Sequence, residues 1–124
     1  MGEYMNWMWV FLGGGIGSLM RFGLGKINIL KIEHFPFATL LANIMASAIL
    51  GIVVCLNIKF GKYDWYWPFF AVGVCGGFST FSTFSMENIQ LLQQGNYAFL
   101  VINVLVSLIL TGLVFYFLAK SSWS

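Results

Sequence analysis

The sequence predicts an all-α integral membrane protein with four transmembrane helices, the third of them broken. Three observations predict it. Of the 124 residues only 8% are charged and 60% are hydrophobic, with a mean hydropathy of +0.87, whereas a soluble domain carries about 25% charged residues. The charges stand at the edges of stretches free of Asp, Glu, Lys and Arg, at residues 4–20, 35–58, 65–86 and 88–119. The third stretch is interrupted by the run Gly76-Gly77-Phe78-Ser79-Thr80-Phe81-Ser82-Thr83-Phe84-Ser85, in which adjacent glycines weaken a helix and hydroxyl side chains compete for its backbone.

Each element follows from these stretches. An apolar helix of about 20 residues crosses a bilayer core. The expected helices cover about residues 5–25, 36–58, 66–94 with a break at 76–83, and 97–119. They are joined by short connections at 26–35, 59–64 and the turn Gly95-Asn96. The first stretch, 17 residues long, is short but sufficient. It reads as a retained span and not a cleavable signal, because its early charge is Glu3 and no basic segment precedes it. Residues 1–124 form a single membrane domain. Trp7, Trp9, Trp65, Tyr66, Trp67, Tyr97, Tyr116 and Trp123 sit near the proposed helix ends, as an interfacial aromatic belt does. Cys55 and Cys75 lie within spans without metal-ligand spacing, as small apolar residues. The net charge of +2 is too small to suggest a nucleic-acid partner.

An even number of spans places both termini on one face. That face holds Lys59, Lys62 and Lys120, and the opposite face holds Arg21, Lys26 and Lys31. The positive-inside rule therefore selects no orientation. Either the chain inserts both ways and pairs antiparallel, or its orientation is set weakly by other features. Four short helices scarcely enclose a solvated path alone, so transport would need an oligomer, and closed two-fold dimers are the commonest kind.

Polar groups at membrane depth fall in register. Thr39, Asn43 and Ser47 repeat every four residues on the second helix, and Asn103, Ser107 and Thr111 do so on the fourth. Such stripes can be interhelical glue or the lining of a path. They offer amide and hydroxyl donors with no carboxylate among them, which suits a small anion exchanging hydration water for protein hydrogen bonds. In the broken segment a non-helical backbone is tolerated only when buried in protein or lining a cavity. Phe81 and Phe84 lie three residues apart, and aromatic rings have electropositive edges. They are packing residues or ring-edge partners of an anion. Gly13 and Gly17 form a GxxxG close-packing spacing; the GxGxG at 13–17 lacks the βαβ context of a dinucleotide site. Arg21 reads as a structural or vestibule residue, Glu87 as the end of a polar network or an interface marker, and His34 as a solvated loop histidine.

The segments Gly13-Gly14-Gly15-Ile16-Gly17-Ser18-Leu19-Met20-Arg21, Thr39-Leu40-Leu41-Ala42-Asn43 and Gly76-Gly77-Phe78-Ser79-Thr80-Phe81-Ser82-Thr83-Phe84-Ser85-Met86-Glu87 together resemble the Fluc (CrcB) family of fluoride channels. The resemblance covers essentially the whole chain, and the third motif carries most of its specificity. It implies an antiparallel, dual-topology homodimer in the inner or plasma membrane that conducts fluoride passively and so lowers cytoplasmic fluoride. It implies pore roles for Asn43, Phe81 and Phe84 and, along the last helix, for Ser107 and Thr111; Thr39, on the stripe of Asn43, is expected in the pore with them. It further implies a structural sodium ion held on the dimer axis by the backbone carbonyls of Gly76 and Ser79. This chain has Ser79 where the common pattern has Thr, which leaves carbonyl ligation intact. Ala38 stands where a glycine is common, and the glycine expected near Ala46 or Ser47 is missing; both bear on local packing.

Other functions fit less well. A four-helix proton-coupled multidrug exporter needs a carboxylate deep in the membrane, and Glu3 and Glu87 are poorly placed for it. A non-transporting assembly subunit gives no reason to break a helix at membrane depth. An enzyme is not expected, because no acid pair or nucleophile–base spacing is present.

Overall fold

A computed structural model describes residues 2–27, 35–60 and 65–120, all in helices, turns and short connections. The elements are α1 (Gly2–Lys26), α2 (Phe37–Phe60), a π-helical segment π1 (Trp67–Val74), α3 (Cys75–Phe78), α4 (Phe81–Gln93) and α5 (Tyr97–Ala119). π1, α3 and α4 follow one another as the single broken helix of the sequence reading, so the described residues form four helices in that reading. Three stretches are long and apolar enough to cross a membrane, Phe37–Ile58, Trp67–Gln93 and Tyr97–Ala119. α1 is 25 residues long but is diluted by glycines and by Glu3, Arg21 and Lys26, and it is not among them.

α1 begins at Gly2, ahead of the expected residue 5. A helix can run past the bilayer core, and Glu3 in its first turn suits the positive end of the helix dipole. α2 ends at Phe60, two residues beyond the expected end. Gly95 makes the turn into α5 with φ of 77°, a left-handed conformation that glycine adopts without strain. His34, Lys31, Lys62 and Trp123 lie outside the described residues, as do the side chain of Lys59 and most of both longer connections.

The break is narrower than the expected 76–83. Gly76 and Gly77 remain helical in α3, and Ser82 and Thr83 already belong to the first turn of α4. Only Ser79 (φ −89°, ψ 152°) and Thr80 (φ −153°, ψ 127°) are extended. Side chains close the ends. Ser79 Oγ donates to the Cys75 carbonyl at 2.6 Å, and Thr80 Oγ1 accepts from the Thr83 amide at 3.3 Å as the N-cap of α4.

Glycines bring α1 against π1 and α3. A Cβ on Gly13 would strike the Phe69 carbonyl oxygen, and one on Gly17 would strike the Val74 carbonyl oxygen. Gly77 faces the Gly14 carbonyl in the same way. The GxxxG spacing is thus a contact between backbones, as close packing in a membrane requires. π1, a rare winding usually limited to one turn, starts at Trp67 with Pro68 in its first turn and presents Gly73 to Gly13 in this contact.

α2 and α5 run parallel. Phe35 stacks edge-on against Phe99 at their starts, with centroids 5.8 Å apart, and Gly51 lies against Phe115 and Leu118 farther along. The small core gathers Ala42, Ala46, Cys75 and Phe78, with Met20, Leu24, Ile49 and Leu50 around it. At one end Trp9, Trp65, Phe69 and Phe70 form a ring cluster, with Trp9 and Trp65 centroids 5.4 Å apart. Much of the outer face is apolar and exposed, including Leu105, Leu108, Ile109, Leu113 and Phe117 of α5. That is the surface a bilayer or a second protein covers.

Candidate functional site

The helix break opens onto a cavity of about 290 Å³ between α2, α3, α4 and α5. Seven of the residues singled out from sequence line it together: Asn43, Ser47, Ser79, Phe81, Phe84, Ser107 and Thr111. Thr80 lines it too. Among the described residues, none that lines it is charged. Four-residue periodicity put Asn43 beside Ser47 and Ser107 beside Thr111, and the parallel packing of α2 and α5 turns both pairs toward one space.

The amide of Asn43 is oriented by an unambiguous donor. The Thr80 backbone N–H donates to Asn43 Oδ1 at 3.3 Å. A backbone N–H can only donate, so the oxygen must face it, and the Nδ2 hydrogens are left for the cavity. Phe81 and Phe84 stand with centroids 5.9 Å apart and planes at 41°. Phe81 is 78% exposed, which places its ring at the open side of the cavity.

The same contacts free two carbonyls. In a continuous helix the Gly76 carbonyl would accept from the Thr80 amide and the Ser79 carbonyl from the Thr83 amide. The Thr80 amide instead donates to Asn43, and the Thr83 amide donates to the Thr80 hydroxyl. Gly76 is exposed, and a Cβ built on it would meet no atom within 4 Å. Neutral oxygens released beside open space suit a hard cation such as sodium, which takes carbonyl ligands.

Thr39 is placed elsewhere. It lines a second cavity, of about 430 Å³, with Arg21, Lys26, Thr83 and Glu87. Its hydroxyl donates to Glu87 Oε2 at 2.9 Å. Glu87 Oε1 is buried and has no hydrogen-bond partner among the described residues. Arg21 Nε reaches the Gly77 carbonyl at 3.2 Å. Arg21 therefore ties the end of α1 to the broken segment, and its charge flanks the second cavity.

Two functional contacts escaped the sequence reading. Thr80 was hidden in the broken run, although a threonine just ahead of a resuming helix is an N-cap signal. Asn88 lies one residue past Glu87 at the edge of the charge-free stretch, and its Oδ1 accepts from Asn103 Nδ2 at 2.8 Å. No sequence spacing links Asn88 to Asn103; the turn at Gly95 folds them together.

The family described as "CrcB-like protein, Camphor Resistance (CrcB)" matches residues 8–119 of this sequence. The chain belongs to this family. Among curated relatives of the CrcB-like chain, a "Fluoride-specific ion channel FluC" of Azobacteroides pseudotrichonymphae genomovar. CFP2 is 42% identical over 102 residues, covering 81% of this chain and 82% of the relative. A protein of the same name from Serratia proteamaculans is 38% identical over 112 residues, covering 86% and 87%. Another, from Klebsiella pneumoniae, is 36% identical over 120 residues, covering 91% and 93%. Both cavities of the CrcB-like chain fall inside the matched range.

Proposed function

We infer that this chain is a fluoride-selective ion channel that lets fluoride leave the cell passively and so protects against its toxicity. One observation carries the reading: among the described residues, the cavity at the helix break is lined by amide, hydroxyl, aromatic and small apolar groups and by no charged side chain. The relatives' name, fluoride-specific ion channel, agrees with it. Fluoride is small and strongly hydrated, so dehydration is its main barrier. Asn43 Nδ2 and the edges of Phe81 and Phe84 replace water in stages, joined by the hydroxyls of Ser107 and Thr111 once their protons leave Asn103 Oδ1 and the Ser107 carbonyl. Binding must favour entering yet allow leaving, and neutral donors meet that condition where a buried lysine or arginine would hold the ion.

The chain works as an antiparallel, dual-topology homodimer with four spans per copy, α1 included. The cavity's open side at the exposed Phe81 supports closure by a second copy. The balanced basic residues support insertion in both orientations. The freed carbonyls of Gly76 and Ser79 would hold a structural sodium ion; its role is to fix the two broken helices by electrostatic attraction, without redox or acid–base chemistry. Arg21 and Glu87, with Thr39, form a vestibule that passes anions to the neutral path. The cell membrane is the site of action.

A bacterial strain lacking its own fluoride exporter tests the reading. Expression of this chain should restore growth in fluoride-containing medium at acid pH, and the Phe81→Ile variant, produced at equal membrane level, should not. Growth unchanged by the wild-type chain would contradict the proposed function.

A further inference from the structure

A polar chain that begins at the cavity ends at a residue outside it. Asn88 of α4 is half-buried and takes no part in the cavity lining. Its Oδ1 accepts from Asn103 Nδ2 at 2.8 Å, and Asn103 is only 1% exposed. Asn103 Oδ1 in turn accepts the Ser107 hydroxyl at 3.4 Å, and the Thr111 hydroxyl donates to the Ser107 carbonyl at 2.6 Å. Ser107 lines the cavity.

We propose that Asn88 is a positioning residue that, through the amide of Asn103, keeps the Ser107 hydroxyl proton turned away from the cavity and so weakens anion binding there. The proposal rests on the channel reading above. A serine hydroxyl has one hydrogen to give. While Asn103 presents its oxygen, that hydrogen points to Asn103 and the cavity faces oxygen lone pairs. An anion must then pull the proton across. The 3.4 Å separation makes the tether long and weak, so an arriving anion can break it and a departing one can restore it.

Asn88 decides which way the Asn103 amide faces. With Asn88 Oδ1 holding the Nδ2 group, the Asn103 oxygen faces Ser107. Without that acceptor, a buried amide nitrogen would lack a partner, which is costly. The amide then turns, Nδ2 donates to Ser107 Oγ, and the serine proton is forced toward the cavity. The site becomes a permanent donor and holds an anion longer. A path needs binding weak enough for release, and this pair supplies the weakening without any charge.

The experiment measures fluoride flux against fluoride concentration in reconstituted liposomes for wild type, N88L, N103L, the N88L/N103L double variant, S107A and N88L/S107A. N88L should lower the half-saturating fluoride concentration by roughly twofold to tenfold, the range one net neutral hydrogen bond spans, and lower the maximal flux together with it. Mere structural damage would lower the maximum without tightening. N88L should add nothing in the N103L or S107A background, because contacts in one chain are not additive. An N88L effect that persists undiminished in S107A, or half-saturation unchanged by N88L, would overturn the proposal. A second arm stands free of transport: in asparagine-labelled protein in nanodiscs, nuclear magnetic resonance should show S107A shifting the Asn88 side-chain amide in wild type and not in N103L. If wild type passes no fluoride while this shift is seen, the channel reading fails and the Asn88–Asn103–Ser107 linkage stands; no shift overturns the linkage itself.

Discussion

Asn43 shows how much one side chain does at this site. Its oxygen takes the Thr80 amide that the broken helix has released, and its nitrogen is thereby left for the cavity. Asn43→Asp keeps the acceptor and removes the donor, while placing a negative charge on an anion path. Two unit charges about 4 Å apart interact by about 4 kcal/mol at an effective dielectric constant of ~20, so fluoride flux should fall by more than about 100-fold. Phe81→Ile removes the ring edge and keeps an apolar side chain, and it too should cut the flux while size-exclusion chromatography shows an elution volume unchanged from wild type. Unaltered flux in both variants would remove these residues from the path. Asn43, Ser107 and Thr111 were legible in the sequence because polar residues at four-residue spacing within an apolar helix stand out. Thr80 and Asn88 were not. The role of Thr80 depends on which residue of a hydroxyl-rich run leaves the helix, and that of Asn88 depends on a tertiary contact with Asn103. Thr39 shares the stripe of Asn43 but sits one turn nearer the Arg21–Glu87 cavity, where it donates to Glu87. A stripe gives a face, and only the packed neighbours decide which cavity each turn of it meets.

At the scale of elements, the close approach of α1 to π1 and α3 depends on missing side chains. Gly17→Val would drive a branched side chain into the Val74 carbonyl and the Phe78 amide. Overpacking of this kind costs about 1–3 kcal/mol or more, so the variant should show a lower unfolding temperature and a poor yield of folded protein. Gly15 has no neighbour within 4 Å of a Cβ, and Gly15→Ala should keep or raise stability, by up to about 1 kcal/mol. Equal behaviour of the two variants in a thermal-unfolding assay would contradict the packing account. The span of α5 is readable because it is uniformly apolar and bounded by Gly95-Asn96 and Lys120. The break is readable as a region but not as two residues, because glycine and serine propensities are weak priors that tertiary contacts override. Gly76 and Gly77 stay helical because Gly77 packs on α1, and the helix opens where Asn43 and Thr80 offer the backbone other partners. The π winding of π1 left no trace that apolar spacing could reveal, since residues 67–74 are apolar on every face.

On the scale of the whole molecule, the single chain leaves its central cavity open and Phe81 outside. It carries little charge with which to orient itself. Both features fit the proposed dimer, in which two copies would meet across the broken helices, close the path and bring the carbonyls of Gly76 and Ser79 from each copy together. The central claim, that the neutral cavity carries fluoride, is tested most directly by purified wild-type protein in liposomes loaded with potassium fluoride. An external fluoride electrode should register rapid efflux when a potassium ionophore relieves the charge imbalance, without any imposed proton gradient. Folded protein that releases no fluoride under those conditions, or releases it only when a proton gradient is supplied, would contradict the account.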